Sequence, residues 1–324
     1  MRLLLIFCLI YFSTSMSFAQ ERFSNSDGMK NEKSLSEVLK WSWSREEPKK
    51  EFIKTNENIN LNSLKDREHY ALWIGHSTFL INNGDLTILT DPIFSERASP
   101  LTFAGPKRLI KPVIKIKDLP KVDVITISHN HYDHLDVNSL RKIQKKFPNV
   151  KILVPKGDLK LLRNYNLNNG FEFLWWEAIT LNNTKFIFTP AQHWSARGLR
   201  DRNKSLWGSW FIKTEEKNIF HAGDTGYSDD FIEIRNRLGP VDFAMIPIGA
   251  YDPQWFMSYS HVNPEEALNI AKDLDAKKSI GMHWGTFILT DEPVLEPRER
   301  LNKISNQNNI NFYTVTPGNI IEMY

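Results

Sequence analysis

The sequence predicts one α/β domain in which two β-sheets lie between layers of helices. From about residue 69 onwards, short apolar runs of strand length are interspersed with longer segments of helical character. Of the 324 residues, 41% are hydrophobic and 24% are charged, which is ordinary for a globular domain. We therefore expect the folded domain to occupy residues 67–324.

The elements follow from local patterns taken in chain order. Asn82-Asn83-Gly84-Asp85 is a turn signal between two apolar runs, and Asp136 is a suitable N-cap for the helix that follows it. Pro264 suits the first turn of a later helix, where Glu265 and Glu266 meet its positive end. The predicted strands are 70–74, 78–81, 86–90, 122–127, 151–154, 185–189, 209–213, 218–221, 241–248, 279–282 and 312–315. The predicted helices are 137–147, 231–238 and 264–274.

The first 19 residues have the features of a cleaved export signal. Arg2 gives a positive start, residues 3–12 are apolar, and Ser17-Phe18-Ala19 is a cleavage site of the small-x-small type. The apolar run is too short for a stable membrane span. We expect export in a bacterium, to the periplasm or the envelope. The single cysteine, Cys8, lies in this segment, so a metal site in the mature chain must use His, Asp or Glu.

Residues 20–66 are predicted to form a polar N-terminal arm. One amphipathic patch interrupts it, formed by Leu35, Val38, Leu39, Trp41 and Trp43. Two interpretations are open: a helix that packs on the domain, or a surface that contacts a membrane or a partner subunit. The net charge is only +3 and there is no long basic run, which does not favour nucleic acid as a partner.

The most informative motif follows the predicted strand 122–127. Ser128-His129-Asn130-His131-Tyr132-Asp133-His134 places three imidazoles and one carboxylate within six positions. Zn²⁺, Fe and Mn accept these ligand atoms, and the spacing allows two ligand sets that share one hydroxide. A histidine-rich surface loop is the alternative interpretation, which the density of ligands disfavours.

Four further residues follow predicted strands and complete the set. Each is weak evidence alone, because a lone histidine is usually structural and an aspartate before Pro or Gly is commonly a turn residue. We predict that His129, His131 and His193 hold one metal, that Asp133, His134 and His283 hold the other, and that Asp224 bridges them. Asp91 is predicted to accept a hydrogen bond from a ligand imidazole and to orient it.

The order of these ligands resembles that of the metallo-β-lactamase superfamily. Further blocks resemble, more specifically, the N-acylphosphatidylethanolamine-hydrolysing phospholipase D family, and the resemblance covers about residues 69–300. These blocks are Trp73-Ile74-Gly75-His76-Ser77-Thr78, Leu89-Thr90-Asp91-Pro92-Ile93-Phe94-Ser95, Gly105-Pro106-Lys107-Arg108, Trp207-Gly208-Ser209-Trp210, Ala222-Gly223-Asp224-Thr225-Gly226-Tyr227, Ile246-Pro247-Ile248-Gly249-Ala250-Tyr251, Trp255-Phe256-Met257, His261-Val262-Asn263-Pro264-Glu265-Glu266-Ala267 and His283-Trp284-Gly285-Thr286-Phe287.

The resemblance implies a four-layer αββα sandwich with a two-metal site at one edge. It also implies two zinc ions, with Fe or Mn as alternatives, and hydrolysis of a phospholipid to N-acylethanolamine and phosphatidic acid. We expect a hydroxide that bridges the metals to attack phosphorus, with Asp133 in a catalytic role and His261 near the substrate phosphate. Ser260, which stands where the mammalian family pattern has Gln, is a candidate substrate contact together with Tyr251 and Trp194. A homodimer and peripheral membrane contact are further expectations.

Several alternatives stay open from the sequence. A lactonase or another phosphodiesterase of related fold would share the metal site, whereas a redox di-iron protein is less favoured because no flavin-type domain follows. A non-catalytic envelope protein that binds lipid would have no need for seven metal ligands. His76 and His221 are left open between a structural role and one near the metals. Candidate walls of an acyl-chain pocket are Trp175, Trp176, Trp194 and Trp255.

Overall fold

The computed structural model describes residues 22–29, 33–60, 64 and 67–323, and the predicted export signal lies outside these residues. The strands are β1 (Tyr70–Gly75), β2 (Thr78–Asn82), β3 (Thr87–Thr90), β4 (Val124–Thr126), β5 (Lys151–Pro155), β6 (Gly170–Phe173), β7 (Ala178–Leu181), β8 (Thr184–Thr189), β9 (Ser209–Lys213), β10 (Asn218–His221), β11 (Phe243–Pro247), β12 (Lys278–Met282), β13 (Phe312–Tyr313) and β14 (Ile320–Glu322). The α-helices are α1 (Leu35–Ser44), α2 (Val137–Lys146), α3 (Leu159–Asn164), α4 (Asp230–Leu238), α5 (Gln254–Met257), α6 (Pro264–Asp273) and α7 (Glu296–Asn308), with a 3-10 turn at Ile116–Asp118.

Within the described residues, these strands form two mixed sheets of seven strands each. The first has the order β14-β1-β2-β3-β4-β5-β6 and the second has the order β13-β12-β11-β10-β9-β8-β7. The strands from β3 to β6 run parallel, as do those from β10 to β13. Because the carboxyl ends of parallel strands meet at one edge of a sheet, the loops that follow them are gathered there.

The two sheets pack face to face through large buried side chains. Trp73 of the first sheet and Phe211 of the second belong to one hydrophobic cluster, which continues beneath α4 through Phe231. A second cluster lies between the first sheet and its covering helices, with Leu140 of α2 and Leu162 of α3. The order of layers is therefore helix, sheet, sheet, helix, and the predicted αββα sandwich is confirmed.

The predicted elements are present to within a few residues at their ends. For example, α2 begins where expected because the Asp136 side chain accepts a hydrogen bond from the backbone N–H of Asn138, at 3.1 Å. Among the described residues, three strands and three α-helices were not predicted from the sequence, namely β6, β7, β14, α3, α5 and α7. An edge position explains β7, whose residues are all at least partly exposed and so lack an apolar run. The helix α7 was missed because its sequence, Glu296–Asn308, is strongly polar.

The helix α1 is attached to the domain by one face and exposed on another. Trp41 stacks on Phe256 with ring centroids 5.1 Å apart, and Arg45 pairs with Asp291 at 3.3 Å. In contrast, the side chains of Leu39 and Trp43 are 60% and 94% exposed. The face with Trp41 therefore matches a helix that packs on the domain. The face with Leu39 and Trp43 is exposed, as a surface for a membrane or a partner subunit would be. In the part of the chain that the structure describes, no helix has the length and apolar character needed to cross a bilayer.

Candidate metal centre

The predicted metal ligands lie at one edge of the sandwich because each follows the end of a strand. The motif loop 128–134 follows β4, and the loops after β8, β10 and β12 carry His193, Asp224 and His283. The structure brings all seven predicted ligands together, in overlapping groups whose donor atoms lie within 4.8 Å of one another. The role of these residues as ligands remains a prediction, which the geometry supports.

The first group consists of the three imidazoles predicted to share a metal. Nδ1 of His131 lies 2.9 Å from Nε2 of His129 and 3.3 Å from Nε2 of His193. On its other side, the His193 ring donates from Nδ1 to the backbone carbonyl of Ser260, at 2.9 Å. This hydrogen bond fixes the tautomer, so that Nε2 of His193 presents a lone pair to the group.

The second group contains the expected residues and one more histidine. Oδ2 of Asp133 lies 3.4 Å from Nε2 of both His134 and His283, and 2.9 Å from Nε2 of His76. The His76 and His283 rings are also in contact, with centroids 4.1 Å apart. His76 occupies the turn between β1 and β2, which ends at the same edge as the other loops. In the sequence, His76 lies in a turn between two apolar runs. This local pattern is the signal that could have indicated a role near the metals.

Asp224 lies between the two groups, as predicted for a bridging carboxylate. Its Oδ2 atom is 3.1 Å from Nε2 of His283, 3.2 Å from Nε2 of His134 and 3.9 Å from Nε2 of His129. The other oxygen, Oδ1, is buried and has no hydrogen-bond partner. Asp224 is therefore in contact with donor atoms of both sets and keeps one oxygen free for a cation.

The electrostatics of the first group favour metal binding. Burial lowers the pKa of His129 and His193 well below the ordinary value, and it lowers the pKa of His131 to about 4. These imidazoles are therefore neutral at pH 7, and the neutral form is the one that binds a metal.

In the second group, His134 and His283 are protonated at neutral pH, and their protons lie where a cation would bind. Burial disfavours the charged form of His283, but the carboxylates of Asp224 and Asp133 outweigh it and raise the pKa of His283 to about 9. The same carboxylates raise the pKa of His134 well above its ordinary value. Protonated imidazoles thus compensate two buried carboxylates, and a bound cation would replace those protons.

The residues present fit a divalent metal. Nε2 of His134, Nε2 of His283 and Oδ1 of Asp224 are buried atoms without a hydrogen-bond partner. The two nitrogens lie close to Oδ2 of Asp224, at 3.2 and 3.1 Å, and a cation among these atoms would give both nitrogens and the Oδ1 atom a partner. A set of imidazole nitrogens and carboxylate oxygens matches zinc, iron or manganese.

Asp91 is hydrogen-bonded to the imidazole of a predicted ligand, which is the contact that its predicted orienting role requires. Its Oδ2 atom accepts from Nδ1 of His134 at 2.7 Å, and its two oxygens accept from the backbone N–H and the hydroxyl of Ser128, at 2.7 and 2.6 Å. Ser128 was not predicted to take part. The second open histidine, His221, is buried beneath the site with Nε2 3.1 Å from the Ser77 carbonyl, and this contact supports the structural interpretation.

His261 lies at the partly exposed side of the centre. Its Nδ1 atom is 3.9 Å from Oδ2 of Asp224, and its ring centroid is 5.1 Å from that of His193 and 5.7 Å from that of His283. Trp194 is half-buried and lies edge-on to the His131 ring, at 4.3 Å between centroids. Both side chains are therefore partly exposed and in contact with predicted ligand imidazoles.

The other two candidate substrate contacts are engaged within the protein. Tyr251 is buried and its hydroxyl donates to Glu296 at 2.9 Å. The Ser260 side chain is also buried, and Ser260 contributes to the centre through its backbone carbonyl, which accepts from His193. Their predicted contacts with substrate stay untested predictions.

A cavity of about 1390 Å³ lies beside the motif loop. Asn130 and Tyr132 of that loop line it, together with Trp175 and Trp176. Two of the four tryptophans proposed as pocket walls are therefore cavity residues, whereas Trp194 and Trp255 are not among the residues that line it.

Comparison with known proteins places this centre in a family. The model of the beta-lactamase superfamily domain matches residues 87–284, which is more than half of the chain and includes every predicted ligand. The chain belongs to the metallo-β-lactamase superfamily. A solved structure of the same fold is the metallo hydrolase Igni18 from Ignicoccus hospitalis, which has a TM-score of 0.58 and 20% identity and covers 78% of this chain and 97% of that one.

Two curated relatives are more similar in sequence. One is N-acyl-phosphatidylethanolamine-hydrolyzing phospholipase D 1 of Caenorhabditis elegans, 41% identical over 78% of this chain and 75% of that protein. The other is the mitochondrial N-acyl-phosphatidylethanolamine-hydrolyzing phospholipase D of Saccharomyces cerevisiae, 43% identical over 73% of this chain and 52% of that protein. With its superfamily and its His/Asp cluster, the chain is a metal-dependent hydrolase.

Proposed function

We propose that this chain is a zinc-dependent phosphodiesterase of phospholipase D type. Its substrates are N-acylphosphatidylethanolamine-like lipids, and its products are N-acylethanolamine and phosphatidic acid. The observation that carries the proposal is the position of His261 at the partly exposed side of two donor groups that share Asp224. Two relatives named for this reaction, at 41% and 43% identity, support the substrate class.

Two zinc ions, when bound, would make a water molecule more acidic and would neutralise charge on the phosphoryl oxygens. The chain supplies the carboxylates that hold such cations. Burial disfavours the charged forms of Asp133 and Asp224, but the neighbouring imidazole of His134 outweighs it and lowers the pKa of both carboxyls well below the usual range. Both carboxyls are therefore ionised at neutral pH.

The role of His261 follows from its protonation state. Burial lowers its pKa to about 4, so the ring is neutral at pH 7 and donates through one N–H. A neutral imidazole can donate to a phosphoryl oxygen, and an anionic substrate would favour a second proton on the ring. In the reaction, a water molecule adds to phosphorus and loses one proton, the P–O bond to the ethanolamine oxygen breaks, and that oxygen takes up one proton.

The exposed face of α1 fits a lipid substrate. Trp43 and Leu39 lie on this helix, and Lys40 is positioned over the ring of Trp255, 4.6 Å from its centroid. Trp255 is 46% exposed and belongs to α5, which ends four residues before His261. Exposed tryptophan beside lysine is typical of surfaces that lie at a membrane interface. We propose peripheral contact here; vesicles with anionic lipid should retain the protein, and Trp43→Ala with Leu39→Ala should reduce retention.

The test of the function is hydrolysis of N-acylphosphatidylethanolamine by the purified mature chain, beginning at Gln20, with metal content measured on the same samples. Asp133→Asn should lose metal and activity together. His261→Ala should keep two metals and lower turnover by about 10²–10⁴-fold, the usual contribution of a positioned proton donor. Export and a homodimer remain proposals, for which the N-terminus of the secreted protein and its mass in solution are the measurements.

Three results are distinguishable. Metal-dependent release of phosphatidic acid that is lost in Asp133→Asn supports the proposal. Two bound metals with turnover of a generic phosphodiester, but none of the lipid, would move the substrate elsewhere. A purified protein that neither binds metal nor turns over any ester would overturn the enzymatic function.

A further inference from the structure

Residues 22–29 of the N-terminal arm lie against the metal centre. Asn25 is 3% exposed and makes contact with the loop that carries His193, which is 168 positions away in sequence. The neighbouring residue Phe23 donates its backbone N–H to the carbonyl of Asn203, at 2.8 Å. This segment is therefore hydrogen-bonded to the loop at His193 itself and again at Asn203.

The side-chain amide of Asn25 holds the backbone of His193 from both sides. Its Oδ1 atom accepts from the N–H of His193 at 3.0 Å, and its Nδ2 atom donates to the C=O of the same residue at 3.1 Å. A third partner, Trp207, donates from Nε1 to Oδ1 at 2.8 Å. Two pure donors and one pure acceptor fix which end of the amide is oxygen, so this pairing has one orientation.

The same amide reaches the loop that carries His261. Nδ2 of Asn25 donates to the hydroxyl of Tyr259 at 3.3 Å, and that hydroxyl donates to Asp27 at 3.2 Å. Tyr259 immediately precedes Ser260, whose carbonyl accepts from the His193 ring. One asparagine thus connects the backbone of a predicted ligand with the loop that orients its imidazole.

We propose that Asn25 is a positioning residue of the metal centre. It holds the backbone of His193 while the Ser260 carbonyl holds its ring, and together they direct Nε2 of His193 towards His131. The inference rests on the proposed function only in taking His193 as a metal ligand, and it does not depend on the identity of the substrate. Cleavage at the predicted site before Gln20 leaves this segment in the mature chain.

The experiment measures zinc affinity by competition with a chromophoric chelator, together with the visible spectrum of the cobalt-substituted protein. Asn25→Ala should weaken one of the two metals by about 10–100-fold, the usual effect of removing a group that orients a ligand. The cobalt spectrum should change, because one imidazole is no longer held in place. The matched control is Asn56→Ala, which removes another asparagine of the arm whose amide donates to Gly318 and Asn319.

A second variant separates positioning from charge. Asn25→Asp keeps the acceptor for the His193 N–H but cannot donate to its carbonyl. If Asn25 acts by position, this variant also binds zinc more weakly; a purely electrostatic effect of the added carboxylate would strengthen binding. Thermal unfolding of metal-free samples checks that each variant is folded. Unchanged zinc affinity and an unchanged cobalt spectrum in both Asn25 variants would overturn the proposal, even if the lipid substrate proves correct.

Discussion

Replacing Asp91 by asparagine tests whether His134 acts as a ligand through a defined tautomer. In the native protein the carboxylate accepts from Nδ1 of His134 and twice from Ser128. In Asp91→Asn, the backbone N–H of Ser128 must face the amide oxygen, because it can only donate. The amide NH₂ then faces Nδ1 of His134, which has to accept instead of donate.

The expected effect on zinc follows from that exchange. When the His134 ring carries a single proton, as it must in order to bind metal, that proton then lies on Nε2, the atom that faces Asp224 at 3.2 Å and is predicted to be the ligand atom. A hydrogen bond to a charged group contributes about 1.5–3 kcal/mol. Loss of such a partner behind a metal ligand typically lowers metal affinity 10–100-fold, which is about 1.4–2.8 kcal/mol. The two figures agree, so we expect the affinity of one metal to fall within this range.

The assay is chelator competition at pH 7 on the mature chain, with activity measured at saturating zinc. The control is Asp123→Asn, since Asp123 also accepts from a backbone N–H, that of Thr87 at 2.9 Å, but lies at the other end of β4. The control should keep native affinity. Native zinc affinity in Asp91→Asn, from protein that unfolds at the native temperature, would refute the tautomer argument.

Three further predictions concern pH and packing. Burial raises the pKa of Asp158 from 3.8 to about 7, so its ionisation destabilises the fold as the pH rises between these values. At 1.36 kcal/mol per pKa unit, Asp158→Asn should therefore increase the free energy of unfolding at pH 8 by up to about 4 kcal/mol. The same substitution should have little effect at pH 4. Denaturant titrations that give equal changes at both pH values would contradict this prediction. The neighbouring carboxylates outweigh burial and raise the pKa of His283 to about 9, so this imidazole is protonated at pH 7. Zinc binding at pH 7 should therefore release at least about one proton, and it should release fewer as the pH rises through 9 and the imidazole loses its proton beforehand. Calorimetry in buffers of different ionisation enthalpy measures that release, and none at pH 7 would count against it. In Gly208→Ala the new Cβ would overlap the carbonyl oxygen of Thr189, so we expect the free energy of unfolding to fall by about 1–3 kcal/mol in a thermal unfolding experiment. In the control Gly198→Ala the new Cβ would be 3.7 Å from the nearest atom, so this variant should unfold like the native chain.

The layered fold could be predicted from the sequence, and so could the group of side chains that the structure brings together at one edge, because both depend on local signals. Strands such as β9 and β10 are apolar runs whose pattern is visible without tertiary context. The ligands lie at strand ends, and parallel strands bring their ends to one edge. Asp91 was expected to accept a hydrogen bond from a ligand imidazole that was not specified, and in the structure this imidazole is that of His134, since β3 and β4 are neighbours.

Contacts made across long stretches of sequence could not be predicted. His76 approaches Asp133 only because the β1–β2 turn reaches the same edge as the motif loop, 57 positions later. Asn25 lies in a polar arm and has no local pattern that would indicate burial. Two of its partners are the backbone atoms of His193, and the sequence pattern does not indicate which backbone atoms a distant side chain will contact. Such residues are identified only when hydrogen bonds can be followed in three dimensions.

Metal binding and the proposed specificity for lipid should be separable in this chain, because different parts of the fold would determine them. The orientation of the predicted ligands depends on buried groups: Asp91 behind His134, the Ser260 carbonyl behind His193, and Asn25 on the His193 backbone. The face that would meet a lipid is built instead from exposed side chains of α1 and α5, such as Trp43 and Trp255. Since exposed side chains can change without disturbing the buried network, substitutions there should alter substrate choice at constant metal content. A change of both properties together would indicate that the two parts of the fold are coupled through the arm.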